Sequence, residues 1–300
     1  MPLICYTPRK FSRNSQTLID HANTIFAEYQ AQGYVLTLRQ LFYQFVSRDL
    51  IPNTMPSYKN LGSVINDARL AGLVDWALME DRTRNLKSQP CWASPSSIIS
   101  ACADQFRIDK WASQTHRPEI WIEKDALAGV FERVCQELQV PYFSCRGYTS
   151  QSEMWVAGQR LKGWLKADQK PVIFHFGDHD PSGIDMSRDI TERLELFMGG
   201  VQFNRLALNM EQVEEYEPPP NPAKITDSRA AEYIRVYGRE SWELDALPPD
   251  VLAGLVRDSI LSIRDEYAWQ EAVEREETHR RQLAAVSEQW ATITENLSDE

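Results

Sequence analysis

Pro171–Met186, PVIFHFGDHDPSGIDM, decides the architecture of this chain. Its first half is a continuous apolar run, Val172-Ile173-Phe174, the signature of a strand covered on both faces. Its second half holds Asp178 and Asp180, then a Pro-Ser-Gly turn, then the start of a helix near Ser182. Strand, acidic turn, helix is half of a βαβ unit, and in open α/β sheets ligands bind beyond the carboxyl ends of the strands.

Working outward, the same texture repeats. EIWIEK, PYFSCRG and VQFNRLAL read as further strands, and DALAGVFERVCQELQ, SEMWVAGQRLKGWLKADQ and SGIDMSRDITERLELFM as the helices between them. That alternation predicts a mostly parallel sheet sandwiched by helices. Glu123 closes the first of these strands. Two aspartates at i and i+2 on an extended segment project the same way, so Asp178 and Asp180 can share a hard cation with Glu123 opposite. Magnesium suits few protein oxygens, with positions left for phosphate and water. The alternative is that both aspartates serve only the turn and the helix cap.

The N-terminal part has a different pattern. Apolar spacing predicts a helix from about Gln16 to Gln30, stopped by Gly33. Thr37 with Gln40 forms a capping box for a second helix with Leu38, Leu41, Phe42, Phe45 and Val46 on one stripe. A third runs from about Ser57 to Ala71 on Leu61, Val64, Ile65 and Ala68, and VDWALMEDRTRN then has the makings of a strand and turn. Three helices followed by a β-wing is the order of a winged helix-turn-helix. At 100° per residue Tyr43 lies ~130° from the centre of its helix's apolar stripe, off the expected buried face, and Arg39 ~40° from Tyr43. A phenol becomes a useful nucleophile when a cation stabilises the developing phenolate, and Arg39 is placed for that. A boundary tyrosine that keeps its hydroxyl in water is the open alternative.

Three hundred residues suit two domains, and 43% apolar content allows proper cores. The expected division is a winged-helix domain over 1–95, a connector over 96–116, the α/β domain over 117–250 and a charged C-terminal helix over 251–300, a solvated or dimer-contacting arm. No stretch approaches the ~20 apolar residues of a membrane span, and the N-terminus lacks a signal-peptide core, so a cytoplasmic protein is expected. Five scattered cysteines without a C-x-x-C pair read as reduced thiols. The net charge of −11 argues against nucleic acid until its distribution is considered. Residues 1–110 carry 12 Lys+Arg against 9 Asp+Glu, whereas residues 201–300 carry 10 against 21. A basic first domain can face phosphate while an acidic tail favours solubility. Lys59 and Arg69 on the third helix, Arg82 in the expected wing, and Lys124 and Arg146 at the strand ends are the candidate DNA contacts.

EIWIEKDA followed by HFGDHDPSGIDM resembles the Toprim domain, in the form found in the A subunit of DNA topoisomerase VI and its meiotic double-strand-break relatives. RGYTSQSEM resembles their K-G-Y-P segment, with Thr149 where proline is usual. NRLALNMEQVEEY, PAKITDSRAAEY and ELDAL resemble their region beyond the sheet. TLRQLFYQFV resembles their T-x-R-x-x-Y-Y segment, with Phe42 in place of the first tyrosine. The likeness spans roughly residues 35–250. It implies duplex DNA cleavage by transesterification, with Tyr43 as nucleophile forming a 5′-phosphotyrosyl link. Arg39 and Mg²⁺ on Glu123, Asp178 and Asp180 would stabilise phosphate charge. It further implies a homodimer pairing the tyrosine of one chain with the metal site of the other; in a bacterial or archaeal cell such a cytoplasmic protein would be nucleoid-associated. The chain lacks a P-loop, so strand passage would need a GHKL-type ATPase partner encoded elsewhere, and its length resembles stand-alone members. Two alternatives stay open: a Toprim nuclease using metal-activated water, and a non-catalytic DNA-binding module.

Overall fold

The computed structural model describes residues 3–79 and 89–298. The N-terminal unit is built from α1 (Arg13–Ala31), α2 (Leu38–Ser47) and α3 (Met55–Leu70). Each starts at a hydroxyl cap: Ser12, Thr37 and Thr54 accept from the backbone N–H three residues on, and Thr37 and Gln40 form the reciprocal capping box. Ile19, Phe26, Leu41, Phe45, Leu61 and Ile65 fill the core between them. After α3, Trp76–Leu78 forms a single 3-10 turn, and Leu36 and Met79 then make one isolated parallel bridge. The rest of the expected wing, with Arg82 and Arg84, lies outside the described residues.

One expectation for this unit needs correcting. Tyr43 is not off the buried face: it is only 4% exposed. The helix from Gln40 to Val46 is buried all round, because a second body covers the side that its own unit leaves open. That body contributes the 3-10 turn Leu244–Ala246, whose Ala246 joins the N-terminal core.

The connector contains α4 (Pro95–Gln105), and β1 (His116–Ile122) opens the α/β unit. There follow α5 (Ala128–Leu138), β2 (Tyr142–Ser144), α6 (Gln151–Lys166), β3 (Lys170–Phe176), α7 (Pro181–Met198) and β4 (Gln202–Ala207). The four strands form one parallel sheet in the order β2-β1-β3-β4. Alternate side chains go to opposite faces. Ile120, Ile122, Phe174 and Phe176 meet Phe131 and Val134 of α5, while Trp121 and Ile173 meet Met154 and Leu161 of α6 and Ile190 and Leu194 of α7. Full burial of each such side chain contributes roughly 1.5–3 kcal/mol. Register fixes the strand ends: Ile122 lies opposite Phe176, so Glu123 and Gly177 leave the sheet side by side.

Beyond the sheet come α8 (Met210–Tyr216), β5 (Asn221–Pro222), α9 (Ala230–Tyr237) and β6 (Glu240–Ser241), the two short strands pairing antiparallel. The expected single charged arm from Val251 is instead α10 (Pro249–Ile263) and α11 (Glu266–Glu288), followed by α12 (Trp290–Ser298). Leu252, Ala253, Val256 and Ile260 of α10 belong to the core on the α5 side of the sheet. In α11, Trp269 and Ala272 are buried, and Glu276 takes a two-oxygen bond from Lys110 at 2.9 Å. The arm reading therefore fails for α10 and the first half of α11. Among the described residues, no helix is long and apolar enough to cross a membrane.

Candidate active site

The parallel sheet delivers its acidic residues to one edge. Glu123 follows β1, its N–H donating to Phe176 O at 2.8 Å. Glu123 Oε2 in turn accepts from the Asp178 N–H at 2.8 Å, which fastens the turn after β3 to the end of β1. Burial pushes the Glu123 carboxyl above its ordinary range, with that N–H opposing. The turn itself must be glycine-built at its far end: a Cβ on Gly183 would stand 2.2 Å from the Asp178 carbonyl oxygen. Asp180 caps α7, its Oδ1 accepting from Gly183 N at 2.7 Å and Ser182 Oγ at 2.8 Å.

Beneath the turn lies Arg205 of β4, which the sequence reading did not single out. Its guanidinium donates to the carbonyls of Gly183, Gly177, Asp178 and Leu208 at 2.6–3.2 Å and to Ser187 Oγ at 2.7 Å. One buried arginine thus holds both ends of the acidic turn, and burial pulls its pKa down.

The sequence reading also missed Glu243 and Asp245. Trp242 and His179 exchange two backbone hydrogen bonds, at 2.8 and 2.9 Å, laying the 242–245 segment beside the acidic turn. Asp178 Oδ1 accepts from Leu244 N at 2.8 Å. Asp178, Glu243 and Asp245 thereby offer carboxylate oxygens within 4.8 Å of one another. Of the expected metal set, only Asp178 belongs to this cluster; Glu123 and Asp180 stand beside it at the same strand ends, in the bonds just described. The signal available beforehand was the E-x-D spacing of WELDAL, the same i, i+2 pattern as Asp178 and Asp180.

Two cations face the cluster. Lys124 Nζ lies 2.8 Å from Asp178 Oδ2 and 3.2 Å from Asp245 Oδ1, and also pairs with Glu243. Arg39 reaches across from α2, its Nε 2.6 Å from Asp245 Oδ2 and its terminal nitrogen on Glu243. Burial pushes Asp178 up to about 7; Lys124 opposes this, and Glu123, Glu243 and Asp245 add to it. Burial raises Glu243 too, but Lys124 and Arg39 outweigh it and hold that carboxyl below its ordinary value. Both cations are desolvated, yet the surrounding carboxylates raise them well above their ordinary values.

Tyr43 completes the arrangement. Its ring packs edge-on against Phe42 at 5.5 Å, with the Arg39 guanidinium 5.7 Å from its centroid. Burial first, then Asp245 and Glu243, push its phenol up to about 12, against the pull of Arg39 and Lys124. A cleft of about 330 Å³ between the two units is lined by Arg39 and Tyr43 on one side and by Asp178, Asp180 and Glu243 on the other.

The candidate DNA contacts separate. Lys59 is exposed on α3. Arg146 is exposed as well, with a left-handed φ of 52° and an ion pair to Asp125 at 3.2 Å. Arg69 instead lies over the Trp76 ring at 4.3 Å and donates to Trp76 O and Met79 O, so it is tied to its own chain. Lys124 is spent on the carboxylates. Arg82 lies outside the described residues. No protein-family model and no curated protein matches this sequence.

Proposed function

We propose that this chain cleaves duplex DNA in a magnesium-dependent reaction, with Tyr43 as nucleophile and a 5′-phosphotyrosyl link as product. The units would be a winged-helix domain and a Toprim domain, arranged as in the A subunit of topoisomerase VI. The observation that carries the reading is the shared cleft: Arg39 and Tyr43 enter from the helical unit, and Asp178, Asp180 and Glu243 from the sheet edge. A phenol can attack phosphorus, and a guanidinium and a carboxylate-held cation can stabilise the charge that develops on the phosphate.

The donor set fits magnesium. Asp178, Glu243 and Asp245 present hard oxygens within 4.8 Å, with Glu123 and Asp180 adjacent. A bound Mg²⁺ would polarise a phosphate oxygen and offset charge developing on it. The chain's own groups do the rest. The Tyr43 oxygen bonds to phosphorus as the 3′ oxygen leaves, the phenol proton passes to solvent, and the leaving oxygen takes one up. Arg39 stabilises the phenolate and the phosphate. Burial and the facing carboxylates push the Tyr43 phenol up to about 12, and a cation turned toward the phenol would favour attack. Lys59 and Arg146 would meet phosphates outside the cleft. Cutting both strands calls for a homodimer, and strand passage for a GHKL-type ATPase partner.

The high pKa and burial of Tyr43 favour one second reading, a nuclease of the same fold in which metal-activated water attacks. Detergent-quenched cleavage reactions separate the two. Wild type should give protein-linked DNA, and Tyr43→Phe, which keeps the ring contacts, should give neither cleavage nor adduct. Near-wild-type cutting by Tyr43→Phe with free 5′ ends would assign the chain to hydrolysis.

A further inference from the structure

The carboxylates that would hold the metal are already held by the chain's own cations. Asp178, Glu243 and Asp245 carry three negative charges when ionised, and Lys124 and Arg39 return two positive ones at ion-pair distance. Neither cation is a loose surface group. Lys124 has a side chain only 20% exposed and bonds to all three carboxylates, and Arg39 spans two of them. Arg39 belongs to α2 and its partners to the segment after β6, so its ion pairs cross the seam between the two units. A neutral tie crosses the same seam where Asn53 Nδ2 donates to Asn221 Oδ1 at 2.8 Å.

A divalent cation among those oxygens would stand within a few ångströms of both an ammonium and a guanidinium. Like charges at such separation repel strongly even with partial solvent screening. The divalent ion and the two side-chain cations therefore compete for the same oxygens. We propose that Arg39 and Lys124 are built-in counter-ions that compete with the divalent cation: they hold the cluster in the metal-free chain and give it up when metal takes the oxygens. Release of Arg39 removes the ionic hold between α2 and the sheet edge, loosens the seam, and frees the guanidinium for the Tyr43 phenol or a phosphate. Metal would thereby control the nucleophile side of the cleft as well as the phosphate side. This rests on the placement of the metal at this cluster under the proposed function.

The test uses calcium alone, without DNA, on the full chain by isothermal titration calorimetry. Arg39→Gln and Lys124→Gln each remove one competing charge while keeping a donor for the carboxylates. Each should bind calcium at least about tenfold tighter than wild type, since a unit charge ~4 Å from a divalent ion is repelled by more than that even under water-like screening. Asp178→Asn should bind it more weakly. Unchanged or weaker calcium binding in both glutamine variants overturns the proposal. Should a variant fail to fold, the wild type carries the test by hydrogen exchange. Calcium should raise amide exchange in Leu38–Ser47, whereas a cation that merely stiffens the site would lower it, and that result also overturns the proposal. Absence of calcium binding in every protein overturns both this proposal and the metal half of the proposed function. Absence of a covalent DNA adduct overturns the nucleophile assignment and leaves the competition standing.

Discussion

The backbone N–H of Leu244 donates to Asp178 Oδ1 at 2.8 Å, joining two acidic segments 66 residues apart in the chain. The bond uses one oxygen of Asp178 and leaves the other to Lys124. Asp178 is therefore the centre of the site, with one oxygen spent on structure and one on charge.

That division separates two substitutions at Asp178. Asp178→Asn keeps an oxygen for Leu244 N–H and should fold, losing divalent-dependent cleavage while duplex binding survives. Asp178→Ala leaves that N–H without a partner, and an unsatisfied buried donor typically costs about 1–3 kcal/mol. Thermal melts should show Asp178→Ala well below Asp178→Asn. Equal melting temperatures would mean that the Leu244 bond contributes little.

Tyr43 and its facing carboxylates line one cleft within a single chain, whereas the family resemblance implies pairing between chains. Mixing Tyr43→Phe with Asp178→Asn protein discriminates the two. If each site is completed within one chain, no mixture regains cleavage. If sites form between chains, mixed dimers hold one intact site and should recover single-strand nicking at up to about a quarter of the wild-type site number, since about half the dimers are mixed and each holds one intact site of two.

Exposed cations should set DNA affinity, and tied ones should set stability. Lys59→Gln and Arg146→Gln should each weaken binding on every sequence and flatten the log–log salt dependence by ~0.9 per lost phosphate contact. Arg69→Gln should instead lower the melting temperature, because it abandons the Trp76 ring and two carbonyls. A salt slope changed by Arg69→Gln alone would reverse this assignment.

Away from the site, Glu276 and Lys110 give a pH dependence with a definite sign. Burial raises the Glu276 carboxyl, but the bonds from Lys110 and the Ile108 N–H outweigh it and hold the pKa below its ordinary value of 4.5. The folded state then binds fewer protons than the unfolded one in that range, so stability rises with pH. The contribution is fully present above about pH 4.5 and is lost as pH falls through the lower folded value. Urea melts from pH 6 to pH 3 should show a shallower decline for Glu276→Gln than for wild type. Parallel declines would show that this pair does not contribute to acid sensitivity.

Local pattern was enough for the sheet and its helices. Apolar runs broken by turn residues announced β1 and β3, and the reading placed Glu123, Asp178 and Asp180 at strand ends because a strand that exits a parallel sheet has nowhere else to put its next residue. The cap at Thr37 was equally legible, since a capping box lies within four residues. What depends on distant chain was not. Tyr43 is off its own helix's stripe yet buried, in a cluster that also takes in Ala246 of the distant Leu244–Ala246 turn. Arg69 read as a free cation until Trp76 folded beneath it. Glu243 and Asp245 reach the site through a two-residue backbone bridge between Trp242 and His179, which no periodicity encodes. The sequence by itself determined which residues alternate, cap and turn, because those preferences act over a few bonds. Tertiary structure alone decided which carboxylates converge and which cations neutralise them, because charges interact through space and desolvation is set by whatever else is packed alongside.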